Sequence, residues 1–81
     1  MIMKVAQILG YEGIYPIVEC FRKHKGLLSF RCPFCKKEHT HGASGNDSPL
    51  GAGDGHRIGH CIEPEMIQGY ILRECPANRH H

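Results

Sequence analysis

No tryptophan occurs in the chain, and no apolar run approaches the length of a membrane span, so a membrane-spanning helix is not expected. The first thirteen residues, "MIMKVAQILGYEG", carry one basic residue, Lys4, one acidic residue, Glu12, and no long apolar stretch of the kind a secretory signal requires. An even set of cysteines is also missing. There are five, Cys20, Cys32, Cys35, Cys61 and Cys75, which fits poorly with a closed disulfide framework. These absences point to a reducing, cytoplasmic setting, where paired cysteines read as metal ligands or redox groups. Acidic residues are missing from one window as well. Residues 22–37, "RKHKGLLSFRCPFCKK", hold six of the ten Lys and Arg and no Asp or Glu.

The 81 residues make one domain, and Gly and Pro number ten and five. At that size a hydrophobic core barely offsets chain entropy, and a staple is usually needed. With disulfides disfavoured, a metal is the expected staple.

The pattern along the chain is mostly β. Residues 1–9, "MIMKVAQIL", predict a short N-terminal helix, stopped by Gly10 and Gly13. "IYPIVECFR" sets Ile17, Glu19 and Phe21 against Val18, Cys20 and Arg22, the period of a strand. With "LLSFRC" it predicts a β-hairpin over residues 17–32. "CPFC" turns the chain, "KEHTH" leaves it as another strand, and "HRIGHCI" and "GYILREC" read as closing strands. Between them "EPEMIQ" predicts a turn or a single helical turn. Residues 42–55 contain five glycines and little to bury, so a flexible loop is expected there, and residues 76–81 read as a frayed tail. The expected fold is a small mostly-β domain, with α+β the variant if the helix forms.

A tetrahedral zinc site needs four soft or borderline ligands converging at about 2.0–2.3 Å. The tight turn of Cys32-Pro33-Phe34-Cys35 aims two sulfurs at one point, and Cys61 is the third expected thiolate. His56 completes a C-x2-C-x20-H-x4-C frame, with His41, His39 and His60 as alternatives for the fourth position. If the strand leaving CPFC paired with the one leading to Cys61, His60 would be the better placed. A second zinc held by His39, His41 and His56, with one position open, would be the basis of a small hydrolase.

Cys-Pro-x-Cys between short strands, preceded by a basic hairpin, resembles the zinc-ribbon and zinc-finger families over about residues 27–75. The longer pattern resembles small prokaryotic and phage proteins that carry CPxC, HTHG, GHRxxHC and a GY strand. Here these are Cys32–Cys35, His39-Thr40-His41-Gly42, Gly55–Cys61 and Gly69-Tyr70. The resemblance implies a zinc-binding cytoplasmic domain. Unlike many zinc ribbons, the second half lacks a CxxC of its own.

The basic segment gives the leading functional expectation. Lys and Arg neutralise phosphates, and exposed rings stack on bases. Arg22, Lys23, Lys25, Arg31, Phe34, Lys36 and Lys37 are the candidate contacts to nucleic acid or to a nucleic-acid-processing protein. The alternatives are the histidine-based hydrolase and, from the phage resemblance, an inhibitor of a host protein.

Overall fold

The computed structural model describes residues 4–24, 26–42, 49–58 and 61–76. Six strands form within them: β1 (Ile8–Glu12), β2 (Tyr15–His24), β3 (Leu27–Arg31), β4 (Glu38–Gly42), β5 (Gly55–Arg57) and β6 (Tyr70–Glu74). They join in the order β4-β3-β2-β6-β5, with β1 on β2. The sheet is antiparallel except for β2 and β6, which run parallel with Val18 opposite Leu72 and Cys20 opposite Glu74.

The ten-residue β2 organises the sheet because its two halves serve different neighbours. Its first half lies between β1 and β6, and its second half pairs with β3, Phe21 standing opposite Ser29. The expected hairpin over 17–32 is present, and the alternation read in β2 holds: Val18 and Cys20 are fully buried, whereas Ile17 and Glu19 are half-buried.

The expected N-terminal helix does not form among the described residues 4–9. Val5 instead makes a parallel bridge to Arg31, and the Ala6 amide donates to the Arg31 carbonyl at 2.8 Å. Sheet pairing overrides helix propensity because two turns could supply few internal bonds, while the edge beside Arg31 offers ready acceptors. After β5 the chain makes a single turn, in which the Met66 and Ile67 amides donate to the Glu63 carbonyl, and buries Met66 before entering β6.

The core is one cluster in which Val18, Leu28, Phe30, Met66, Tyr70 and Leu72 surround Cys20, Cys32 and Cys61. Phe30 meets Tyr70 edge-on at 5.4 Å. Two of the three cysteines expected as ligands therefore belong to the core itself, and whatever happens at their sulfurs acts directly on the packing.

A polar network ties residues 49–54 to the sheet. The Arg22 guanidinium donates to both oxygens of Glu74, at 3.1 and 2.9 Å, and the Gly51 amide donates to the same carboxylate at 3.1 Å. The Asp54 carboxylate accepts from the Glu74 amide at 2.7 Å. The described end of the glycine-rich segment is thus anchored by named bonds, while residues 43–48, like 77–81 of the expected tail, lie outside the described residues.

Cys20 sits at the centre of this polar rim without taking part in it. Burial, with Asp54, Glu74 and Cys75 adding negative charge, pushes its thiol up to about 12. A thiol so placed stays protonated and shielded. Iodoacetamide at pH 8 is expected to label Cys20 only after urea unfolding, which peptide mass mapping would show. Labelling of the folded protein at the rate of a free thiol would contradict the placement.

Candidate metal centre

The turn that builds the centre follows from three local features. Pro33 fixes the backbone after Cys32, and the Lys36 amide closes the turn on the Cys32 carbonyl at 3.0 Å. Lys36 then adopts a left-handed conformation, φ 67°, which reverses the chain. The Cys32 amide donates to the Lys37 carbonyl at 2.9 Å, and the β3–β4 ladder begins one step later with Arg31 opposite Glu38. From that register the alternation of β4 is fixed. Glu38 and Thr40 face Ser29, whose hydroxyl bonds both of their side chains, and His39 faces the core beside Phe30.

Cys32, Cys35, His39 and Cys61 come together, their ligand atoms all lying within 4.8 Å of one another. The Cys32 and Cys61 sulfurs are 3.8 Å apart, and Cys35 Sγ is 3.2 Å from His39 Nε2. Two thiolates bound to one tetrahedral ion at about 2.3 Å would stand about 3.8 Å apart. Cys32, His39 and Cys61 are buried, and Cys35 is half-buried.

Each sulfur also has a backbone donor two residues on. The Phe34 amide reaches Cys32 Sγ at 3.4 Å, the Lys37 amide bonds Cys35, and the Glu63 amide bonds Cys61. Amides aimed at sulfur are arranged for thiolates, because a thiol is a weak acceptor. Burial opposes ionisation of Cys35, but the Lys37 amide and the neighbouring Cys61 and Cys32 thiols outweigh it and hold its pKa below the ordinary value. Burial, joined by the hydrogen bonds to Cys35 and Cys32, pushes the Cys61 thiol up to about 12 against the pull of the Glu63 amide. Of Cys35 and Cys61, Cys35 is therefore the more readily ionised. Tyr70 lies next to them, and burial, helped by Cys61 and Cys32, raises its phenol to about 12.

The histidine in this cluster is His39, where the C-x2-C-x20-H-x4-C frame puts His56. His56 lies on β5 opposite Ile71, exposed, with its ring edge-on to Tyr15 at 4.6 Å. It lies over Gly69, where an added Cβ would come within 2.5 Å of His56 Nε2. It stands apart because β5 pairs with β6, whereas β4, which carries His39, pairs with β3. His41 shares the inward face of β4 with His39, but its ring nitrogen is hydrogen-bonded to the Tyr70 hydroxyl. His60 lies outside the described residues. The three imidazoles of the second-metal expectation are therefore dispersed, to Cys35, to Tyr70 and to Tyr15.

A signal for His39 was present in the chain. It is four residues past Cys35, on a strand whose alternation points positions 39 and 41 the same way. The pairing of that strand decides which of the two reaches the sulfurs.

The expected contact residues divide into distinct groups. Arg22 is tied to Glu74, and Lys23 pairs with Glu38 at 3.0 Å. Glu38 is held below the usual carboxylate range by the Lys23 and Ser29 hydrogen bonds. Lys36 and Lys37 are exposed just after the Cys32–Cys35 turn, and Lys36 Nζ donates to the Pro33 carbonyl at 2.6 Å. Arg31 is half-buried, and its Nε is buried with no hydrogen-bond partner among the described residues. Phe34 is half-buried and packs on the core. Lys25 lies outside the described residues. Among the described residues there is no helix long and apolar enough to cross a membrane.

Compared with known proteins, the chain matches no family model, no curated protein and no solved structure.

Proposed function

We propose that the chain is a zinc-stapled β module, in which Cys32, Cys35, His39 and Cys61 hold one Zn2+ for structure, and that it binds nucleic acid through its basic segment. The observation that carries the metal reading is the convergence of three sulfurs, each with its own backbone amide, and one imidazole within 4.8 Å. Three thiolates and one imidazole form a closed tetrahedral donor set, which suits zinc and leaves no position for a substrate. A dication would also supply the positive charge that lets all three cysteines ionise together. The closed set and the dispersal of His41 and His56 favour a structural site over a hydrolytic one. The Cys-Pro-Phe-Cys turn is the feature shared with zinc ribbons.

A metal here would join the β3–β4 turn to Cys61, 29 positions from Cys32. That link restricts the unfolded chain and completes a core two of whose members are ligands. The second half of the reading, contact with nucleic acid, draws on the six cations and no acids of residues 22–37.

Elemental analysis of the purified protein tests the metal. One zinc per chain is expected, and its removal by a strong chelator should abolish the cooperative thermal transition. A protein that melts cooperatively without metal would overturn the structural role. Two zincs, one of them removable without unfolding, would restore the hydrolase reading.

A further inference from the structure

Accounting for the cations separates the basic segment into a paired part and an unpaired one. Arg22 is neutralised by Glu74, and Lys23 by Glu38. Lys4 and Lys37 are exposed, and no carboxylate among the described residues pairs with them. Lys36 bonds only a neutral carbonyl and so keeps its charge uncompensated. Arg31 stands opposite Glu38 in the ladder, but that carboxylate is already taken by Lys23 and Ser29. Its buried Nε lacks an acceptor among the described residues, so the guanidinium charge is uncompensated there.

Backbone pairing gathers these four charges at one end of the sheet. Val5, next to Lys4, bridges Arg31, the Ala6 amide bonds the Arg31 carbonyl, and the Cys32 amide bonds the Lys37 carbonyl. Phe34, half-buried in the same turn, adds an aromatic ring.

We propose that this end of the sheet, carrying Lys4, Arg31, Lys36 and Lys37 around the metal turn, is the docking surface for the phosphate backbone of single-stranded nucleic acid. The proposal rests on the nucleic-acid reading above and relocates the contact from the paired hairpin cations to the unpaired ones at the turn. Unpaired cations release counterions when they meet phosphates, whereas a cation already paired must first give up its carboxylate. The Phe34 ring gives a base a surface to stack on. Among the described residues there is no helix to enter a duplex groove, and since a two-stranded β-ribbon also fits one, a duplex of the same length is the comparison ligand in the test.

The test measures binding of a fluorescein-labelled oligothymidylate by anisotropy across a salt series, using the metal-replete protein. Lys4→Gln and Lys37→Gln remove exposed charges that no carboxylate among the described residues pairs with, and zinc per chain is recorded for Lys37→Gln because that charge also acts on Cys35. Each is expected to weaken binding about fivefold at 0.1 M salt and to flatten the salt slope by about 0.7. Arg31→Gln is expected to weaken it at least as much, with the thermal transition recorded to separate binding from folding. Lys23→Gln, at a cation already paired with Glu38, is expected to weaken binding less than Lys4→Gln or Lys37→Gln. Loss on Lys23→Gln with none on Lys4→Gln or Lys37→Gln would overturn the relocation and leave contact at the hairpin. Absence of binding by folded, zinc-loaded protein would overturn both nucleic-acid statements and leave the metal site standing. Equal affinity for a duplex of the same length would overturn the single-strand assignment.

Discussion

Cys61→Ala is expected to abolish both zinc retention and cooperative folding, and His39→Ala to lower zinc affinity by orders of magnitude, while His56→Ala leaves both intact. Cys61 Sγ is 3.8 Å from Cys32 Sγ inside the core, and His39 Nε2 is 3.2 Å from Cys35 Sγ. Apparent binding free energies of structural zinc are about 10–16 kcal/mol, comparable with or larger than the stability of a domain this small. Loss of one of four ligands removes a large part of that, and loss of a thiolate more than loss of an imidazole, because its charge also goes. His56 is exposed and rests on Tyr15, so its replacement removes one ring contact. Zinc per chain and the thermal transition of the three variants, measured side by side, decide the matter. Zinc retained by His39→Ala and lost by His56→Ala would reverse the assignment.

Glu74→Ala should be a strongly damaging change away from the metal centre, costing about 3 kcal/mol in urea unfolding of the metal-loaded protein. Its carboxylate is buried and accepts from the Arg22 guanidinium twice and from the Gly51 amide once. Truncation leaves a partly buried guanidinium and a loop amide without their acceptor, and the unpaired charge is the larger part of the cost. Residues 49–54 should then become the first site of proteolytic cleavage, since the Gly51 bond is one of those holding them to β6. The comparison is Lys23→Ala. It breaks an ion pair whose side chains are 49% and 40% exposed and should cost under about 1 kcal/mol. Equal losses in the two variants would mean that the Arg22–Glu74 pair is no more than a surface contact.

Three sulfurs of the centre were legible in the chain because their placement is local or compositional. Cys32-Pro33-Phe34-Cys35 encodes its own turn. An odd cysteine count leaves thiols to be explained, and Cys61 sits in a segment dense in histidine. The β2 alternation, the β2–β3 hairpin and the turn at 63–68 were legible for the same reason. Each depends on residues a few positions apart.

The choice among the histidines, and of which cations remain free, was beyond that reach. His39, His41 and His56 are equivalent as residue types, and only the pairing of β4 with β3 and of β5 with β6 sends them to Cys35, Tyr70 and Tyr15. Arg22 and Lys23 read as two more charges in a basic run until β6 brings Glu74 to one and β4 brings Glu38 to the other. The N-terminal residues show the same limit, since the bridge from Val5 to Arg31 outweighs a helix that sequence alone favours. Composition and short spacing determined a small β domain with a Cys-Pro-Phe-Cys turn and a basic segment. Long-range strand pairing decided the rest, because the partner of a strand is fixed by the whole sheet and by no feature of the strand itself.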